Sequence, residues 1–372
     1  MKAICRELKQ IPVSICIETD GTIKIGNFDY LYQFSMPTDC KILLSENIFV
    51  DAQQFIDLFQ KVNIKTIEAT NDNNVSFKND DIEFLIETNN DSNFFNAFEN
   101  SRYQQLTFPI DCETLKTYAT YVSNDDLRPA MCGIFFGQYE QTGDEYGYQY
   151  IAATNAHVLR YARLDQITQC RPNFGNFIMP ADVVKMMPNK KTAFVSETDK
   201  TKTGRRAFMI MNSESNDILY FVGIDEKYPD FLSVVPTENM DNVWHLQKSE
   251  ALKFINAAKN IAGKNLQIML SVEKNTTQIF ASVHHADNPV NLKTSKPIGS
   301  NQTPITVETN AKNDRLLLNA DYLKQVLTNN GIDDSLYFRF DTNARGILTD
   351  ANLMQSNETD LLMPCYIGTY YG

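Results

Sequence analysis

Ile48-Phe49-Val50-Asp51-Ala52, Phe177-Ile178-Met179-Pro180-Ala181 and Leu316-Leu317-Leu318-Asn319-Ala320 state one pattern three times: three apolar residues, then Asp, Pro or Asn, then Ala. Asp and Asn side chains accept hydrogen bonds from the orphan amides of a helix start, and Pro suits a first turn, so each stretch predicts a short strand running into a helix. Three and six residues past each Ala stand Phe55 and Leu58, Val184 and Met187, and Leu323 and Val326, the apolar face of a short amphipathic helix. The alanines are separated by 129 and 139 residues, close to a third of the 372-residue chain each time. A unit repeated three times is the reading that follows.

Outward from these stretches, a second helix is expected in two of the units. Asp111 caps a run in which Leu115, Tyr118, Ala119 and Val122 share a face, and Ser249 to Ala262 places Leu252, Ile255, Ala258 and Ile261 the same way. In the first unit only Ala3 to Gln10 precedes a strand at 13–17, so that unit reads as shortened. Ser14 to Glu18 and Thr22 to Ile25 flank Asp20-Gly21 as a hairpin; Gly133 to Phe136 with Tyr148 to Ala152, and Gln267 to Val272 with Gln278 to Val283, repeat the form. Asn, Asp and Ser dominate 71–103 and 284–304, which read as loops before a boundary and as a long excursion. The expected class is α+β, short helices on antiparallel sheets, with domains at 1–103, 104–237 and 238–372.

Composition narrows the function. Hydrophobic residues make up 43% and charged residues 22%, as in a globular protein, and no apolar run has the roughly 18 residues of a membrane span. The start carries no signal-peptide pattern, so a cytoplasmic address without membrane contact is expected. The seven cysteines are scattered without a CxxC pair, and no metal is expected. No phosphate loop is present, because Gly263-Lys264 runs into Asn265; GxSxG and HExxH are absent too. His284-His285 with Asp287, and acidic pairs such as Asp125-Asp126, read as solvated strand and loop groups before they read as metal ligands. Neither a catalytic residue nor a cofactor is expected. The net charge of −12 opposes nucleic-acid binding unless the basic residues gather on one surface. They are biased toward the helices: Lys185 with Lys190 and Lys191, Lys253 and Lys259 against the single acid Glu250, and Lys324.

The run Asp126-Leu127-Arg128-Pro129-Ala130-Met131-Cys132-Gly133-Ile134-Phe135-Phe136, followed by Ala152-Ala153-Thr154-Asn155-Ala156-His157-Val158-Leu159-Arg160, resembles the middle domain of the bacterial DNA polymerase III beta subunit, the DNA sliding clamp. That family carries R-P-x-L-x-G-I-x-F and then A-T-D-G-H-R-L. Tyr228-Pro229-Asp230-Phe231-Leu232-Ser233-Val234-Val235-Pro236 is similar to its F-P-D-Y-x-x-V-I-P, and Leu361-Leu362-Met363-Pro364-Cys365 to its V-x-M-P-M. Departures mark a divergent member: Asn155-Ala156 for Asp-Gly, Val158 and Ser233 for Arg, the shortened first domain, and Gly368 to Gly372 past the usual end.

The resemblance implies three tandem clamp domains, two chains joined head to tail as a homodimeric ring, and double-stranded DNA held by enclosure without sequence readout. It implies pore-facing Lys185, Lys190, Lys191, Lys253, Lys259 and Lys324, which meet phosphate rather than bases. It also implies that a polymerase and an ATP-driven clamp loader attach by short peptides. Their groove would be walled by Met131, Thr154, Ala156, His157, Val158 and Leu159, then Pro229, Ser233 and Val234, closed by Leu361, Met363, Pro364 and Cys365. Two other readings stay open on the residues: a clamp-like protein that takes polymerase peptides without encircling DNA, and a three-domain metal-dependent enzyme.

Overall fold

The computed structural model describes residues 14–70, 72–89, 98, 103–139, 148–168, 175–187, 192–198, 200–201, 203–212, 217–236, 240, 242–262, 266–284, 292–302, 314–330, 334–340, 346–350 and 358–367. Ala3 to Gln10, Lys190, Lys191, Lys264, His285, Asp287 and Gly368 to Gly372 lie outside the described residues. Antiparallel strands dominate, accompanied by helices α1 (Ala52–Lys61), α2 (Cys112–Ala119), α3 (Leu164–Thr168), α4 (Ala181–Lys185), α5 (Lys248–Ala262) and α6 (Ala320–Asn329).

All three repeated stretches form the expected junction of strand and helix. Ile48–Asp51 pairs antiparallel with Ser14–Ile17, Phe177–Pro180 with Gly133–Tyr139, and Arg315–Asn319 with Gln267–Val272. The register is the same in each copy: Val50 pairs with Ile15, Met179 with Ile134 and Leu318 with Ile268, and all six side chains are buried. Asp51 accepts from the Gln54 amide at 2.9 Å, and Asn319 from the Asp321 amide at 2.8 Å; Pro180 starts α4 without a side-chain bond. Phe55, Leu58, Val184, Met187, Leu323 and Val326 are all buried, each such side chain contributing roughly 1.5–3 kcal/mol of hydrophobic stabilisation.

The chain gathers into two compact units. The first takes Met1–Ala119, Gly133–Gln149 and Thr168–Lys227. Its larger sheet has the order Ile48–Asp51, Ser14–Ile17, Thr22–Gly26, Tyr30–Ser35, Ile218–Val222, Ala207–Asn212, Thr192–Thr198, Tyr103–Asp111. Gly21, at φ 87°, turns its first hairpin, a conformation open to glycine. Rings stack through this unit's core from Phe136 to Phe177 at 4.9 Å, Phe177 to Phe208 at 4.2 Å and Phe208 to Phe221 at 5.4 Å.

The second unit takes Thr120–Cys132, Tyr150–Ile167 and Tyr228–Gly372. Its strands follow the order Tyr148–Thr154, Val158–Arg163, Glu358–Leu362, Ile347–Asp350, Ser335–Phe340, Asn242–Gln247, Gly299–Asn301, Gln278–His284, Gln267–Val272, Arg315–Asn319, Tyr366–Ile367. Trp244 and Phe340, both fully buried, meet edge to face at 5.4 Å in its core.

Three expectations need correcting. The polar stretch 71–103 is not only loop: Asn74–Lys78 and Glu83–Glu87 pair there, extending a sheet begun by Lys41–Leu43 and Thr66–Ala69. Val75, Phe77 and Ile86 supply a period-two core that the surrounding Asn and Asp obscure. The excursion 284–304 likewise holds a strand, Gly299–Asn301, paired on both sides. Ile261 leaves the expected buried face of α5 and is 58% exposed. A series spaced by three residues drifts about 60° per step around an α-helix, so Leu252 and Ile261 end on opposite sides. Lys248, Ala251, Ile255 and Ala258 make the buried face instead, with Lys248 donating its ammonium to the carbonyl of Asn330.

Candidate functional site

All thirteen residues expected to wall the peptide groove belong to the second unit. Val158–Arg163 and Glu358–Leu362 run antiparallel, pairing Val158 with Leu362, Leu159 with Leu361 and Arg160 with Asp360. The turn before the first strand is built from its own side chains. Asn155 Oδ1 accepts from the amides of His157 and Val158, both at 3.0 Å; Thr154 Oγ1 accepts from the Ala156 amide at 3.1 Å and donates to the Val158 carbonyl at 2.8 Å. Ala156 is thereby held at φ 74°, a left-handed conformation that a Cβ disfavours.

This turn carries the chain's late residues beside it. The Met363 amide donates to the His157 carbonyl at 2.9 Å, and the Cys365 amide to Leu317 at 2.8 Å. The His157 imidazole stacks on the Tyr322 ring, 5.2 Å between centroids and 17° between planes. Tyr322 sits in the first turn of α6, where its amide donates to the capping Asn319 at 3.3 Å.

On the other side, buried Phe231 packs among the rings of Tyr150, Tyr161 and Tyr228, anchoring the segment 228–234 to the same sheet. Ser233 Oγ donates to the Asp230 carbonyl at 2.7 Å, closing a single 3-10 turn. Of the expected walls, Met131, Thr154, Val158, Leu159 and Leu361 are buried; Ala156, His157, Pro229, Ser233, Val234 and Cys365 are exposed; Met363 and Pro364 are half-buried. Of the expected walls that reach solvent, only His157 and Ser233 carry a polar nitrogen or oxygen in the side chain, and Met363 is the one able to change shape.

Sequence reasoning missed Tyr322, Arg160 and Asp360. Tyr322 lies inside an otherwise ordinary amphipathic helix, and nothing local marks it. A signal exists for Arg160, which stands between Leu159 and Tyr161; Asp360 follows Glu358 and Thr359 in its strand, so nothing local sets it apart. Asp360 is wholly buried and Arg160 nearly so. Burial pushes the Asp360 carboxyl up to about 6, against the pull of Arg160, Tyr121 and Asn330.

Three of the expected DNA-facing lysines come together on α5 and α6. Lys259 pairs with Asp321 across the two helices, Lys324 donates to Asn256 at 2.8 Å, and Lys253 pairs with Glu250 at 2.7 Å. Lys185, in the other unit, pairs with Asp182 at 2.6 Å. Lys185, Lys253 and Lys259 are thus balanced by carboxylates, Asp321 standing on a different helix from its partner, while Lys324 meets an amide oxygen. Among the described residues no cluster of three or more His, Cys, Asp or Glu could hold a metal, and no helix is long and apolar enough to cross a membrane.

This fold is that of the bacterial DNA sliding clamps. The Bacillus subtilis DNA polymerase sliding clamp superposes with a TM-score of 0.70 at 16% identity, covering 99% of this chain and 97% of that one. A putative DNA polymerase III beta subunit from Eubacterium rectale reaches 0.73 at 12% identity over 98% and 96%. The Helicobacter pylori beta clamp bound to a DNA ligase peptide gives 0.68 at 15% identity over 98% and 97%. No protein-family model and no curated protein matches the chain.

Proposed function

We propose that this protein is a sliding clamp, a non-catalytic processivity factor that encircles duplex DNA and tethers a polymerase and other replication or repair proteins. The observation that carries the reading is that the clamp fold extends over essentially the whole chain in both directions of the comparison. Three tandem clamp domains, 1–103, 104–237 and 238–372, give six around a ring when two chains join head to tail. That contact is heterologous, and a twofold rotation closes it by making two equivalent joints.

Two exposed apolar features support such joints: Leu85, 60% exposed on the edge strand Glu83–Glu87, and Ile261 at the end of α5. An open edge strand with an outward Leu is a template for another chain. Lysines on α4, α5 and α6 supply weak, sequence-independent contact with phosphate, suited to sliding. Exposed or half-buried His157, Val234 and Met363 suit a short peptide with Leu or Phe anchors, and the Helicobacter pylori beta clamp of the same fold is bound to a DNA ligase peptide. A separate ATP-driven loader opens the ring, and the protein works in the cytoplasm.

The deciding experiment is topological. Loaded onto nicked circular DNA, the protein stays bound and is lost once the circle is cut to a linear form. Equal retention on both forms identifies ordinary DNA binding and overturns the ring.

A further inference from the structure

Behind the proposed peptide surface lies a buried polar cluster that none of the features above requires. Asp360 accepts from Arg160 Nη1 through both carboxylate oxygens at 3.1 Å, from the Tyr121 hydroxyl at 2.7 Å and from Asn330 Nδ2 at 2.6 Å. Its carbonyl takes the Thr349 hydroxyl at 3.4 Å. Arg160 also reaches Glu358, and Lys248 donates to the Asn330 carbonyl. An apolar core would hold these strands together at least as well, since desolvating an ion pair offsets most of its attraction. What a buried, directional cluster adds is a single permitted arrangement of the elements that reach it.

Those elements are the ones that carry the peptide surface. Arg160 is three residues past His157, on the strand that leaves its turn, and Asp360 is three before Met363. Tyr121 leads into the segment whose Ser123 amide donates to the Met131 carbonyl at 2.8 Å. Asn330 caps the helix that presents Tyr322 to His157. We infer that Asp360 is a positioning residue for the peptide site: one carboxylate sets the mutual placement of the His157 turn, the Met363 segment, the Met131 segment and α6. The inference rests on the reading of that surface as a peptide site.

The test uses the full-length protein and a labelled peptide with the sequence of the ligase peptide bound by the Helicobacter pylori clamp. Asp360→Asn removes the charge at constant size, and Tyr121→Phe removes one donor at constant shape. Each is expected to weaken peptide binding, about tenfold and about threefold respectively. With methyl-labelled methionine, the Met363 signal of the Tyr121→Phe protein should move while that of Met209, in the other unit, stays in place. Leu270→Ala, buried on a strand that carries none of the site residues, is the control for stability alone and should bind peptide as the wild type does. Wild-type affinity and an unmoved Met363 signal in Tyr121→Phe overturn the inference, and that variant decides even if Asp360→Asn does not fold. Failure of the wild-type protein to bind peptide overturns instead the reading on which the inference stands.

Discussion

Arg160 sets one amino group, Nη1, 3.1 Å from each carboxylate oxygen of Asp360, at a cross-strand position closed to solvent. Removing the cation alone leaves a buried carboxylate without its charge partner. Arg160→Met should cost about 3–5 kcal/mol of unfolding free energy, and adding Asp360→Leu should restore only part of it, because the Tyr121 hydroxyl and the Asn330 amide then lose their acceptor. Urea melts of the single and double variants measure the difference; equal losses in both would mean that the pair is solvated.

The same carboxyl makes stability depend on pH in a defined direction. Its folded pKa, about 6, lies above the ordinary carboxylate value, so between about 4 and 6 the folded state holds a proton that the unfolded state releases. Its contribution is fully present below that window and is lost as pH rises through about 6, an effect of roughly 1–3 kcal/mol. The cost of Asp360→Asn should therefore be larger near pH 4.5 than near pH 7.5, by denaturant melts at about those two values. The opposite trend would show that hydrogen bonds to the charged form outweigh burial.

Ala156 occupies a left-handed position where the resembling family has Gly. Ala156→Gly relieves the Cβ and should stabilise the protein by about 1 kcal/mol, read as a rise in melting temperature. No rise would place the strain elsewhere in the turn.

Met363 is the adaptable member of the proposed peptide surface, held by its amide to His157. Met363→Ala should weaken peptide binding by about 1–2 kcal/mol while leaving sedimentation unchanged. Superimposable titrations of wild type and variant would remove Met363 from the site.

On α5, Lys253 and Lys259 are engaged with carboxylates, so phosphate competes with an internal partner. Lys253→Glu with Lys259→Glu should impair loading on DNA while leaving the fold intact by circular dichroism, at a small cost in melting temperature from the two lost ion pairs. Asp321→Asn frees Lys259 and should steepen the dependence of log affinity on log salt by about 0.9. An unchanged salt slope would mean that Lys259 does not meet DNA.

The proposed ring calls for apolar joints, and Leu85→Asp or Ile261→Asp should shift sedimentation from a dimer of two 42.4 kDa chains toward the monomer. A dimer unaffected by both changes would send the joint to another surface.

What the sequence determined by itself is local or repeated. Asp51, Pro180 and Asn319 start helices because short side chains or a locked φ satisfy the first turn, and Phe55, Val184 and Leu323 point inward because of a 3.6-residue period. Repetition at about a third of the chain made the architecture legible, and the Thr154–Leu159 and Leu361–Cys365 motifs made much of the candidate site legible. Tertiary structure alone decided the rest. That Ile261 faces solvent depends on the rotation of α5 against its sheet, and that Lys259 is neutralised depends on Asp321 arriving from another helix. The pairing of Arg160 with Asp360 joins residues 200 positions apart. Arg160 alone in its strand reads as a defect and Asp360 as one more polar residue after Glu358 and Thr359; only folding, which removes both from water and aligns their strands, turns the two into one interaction.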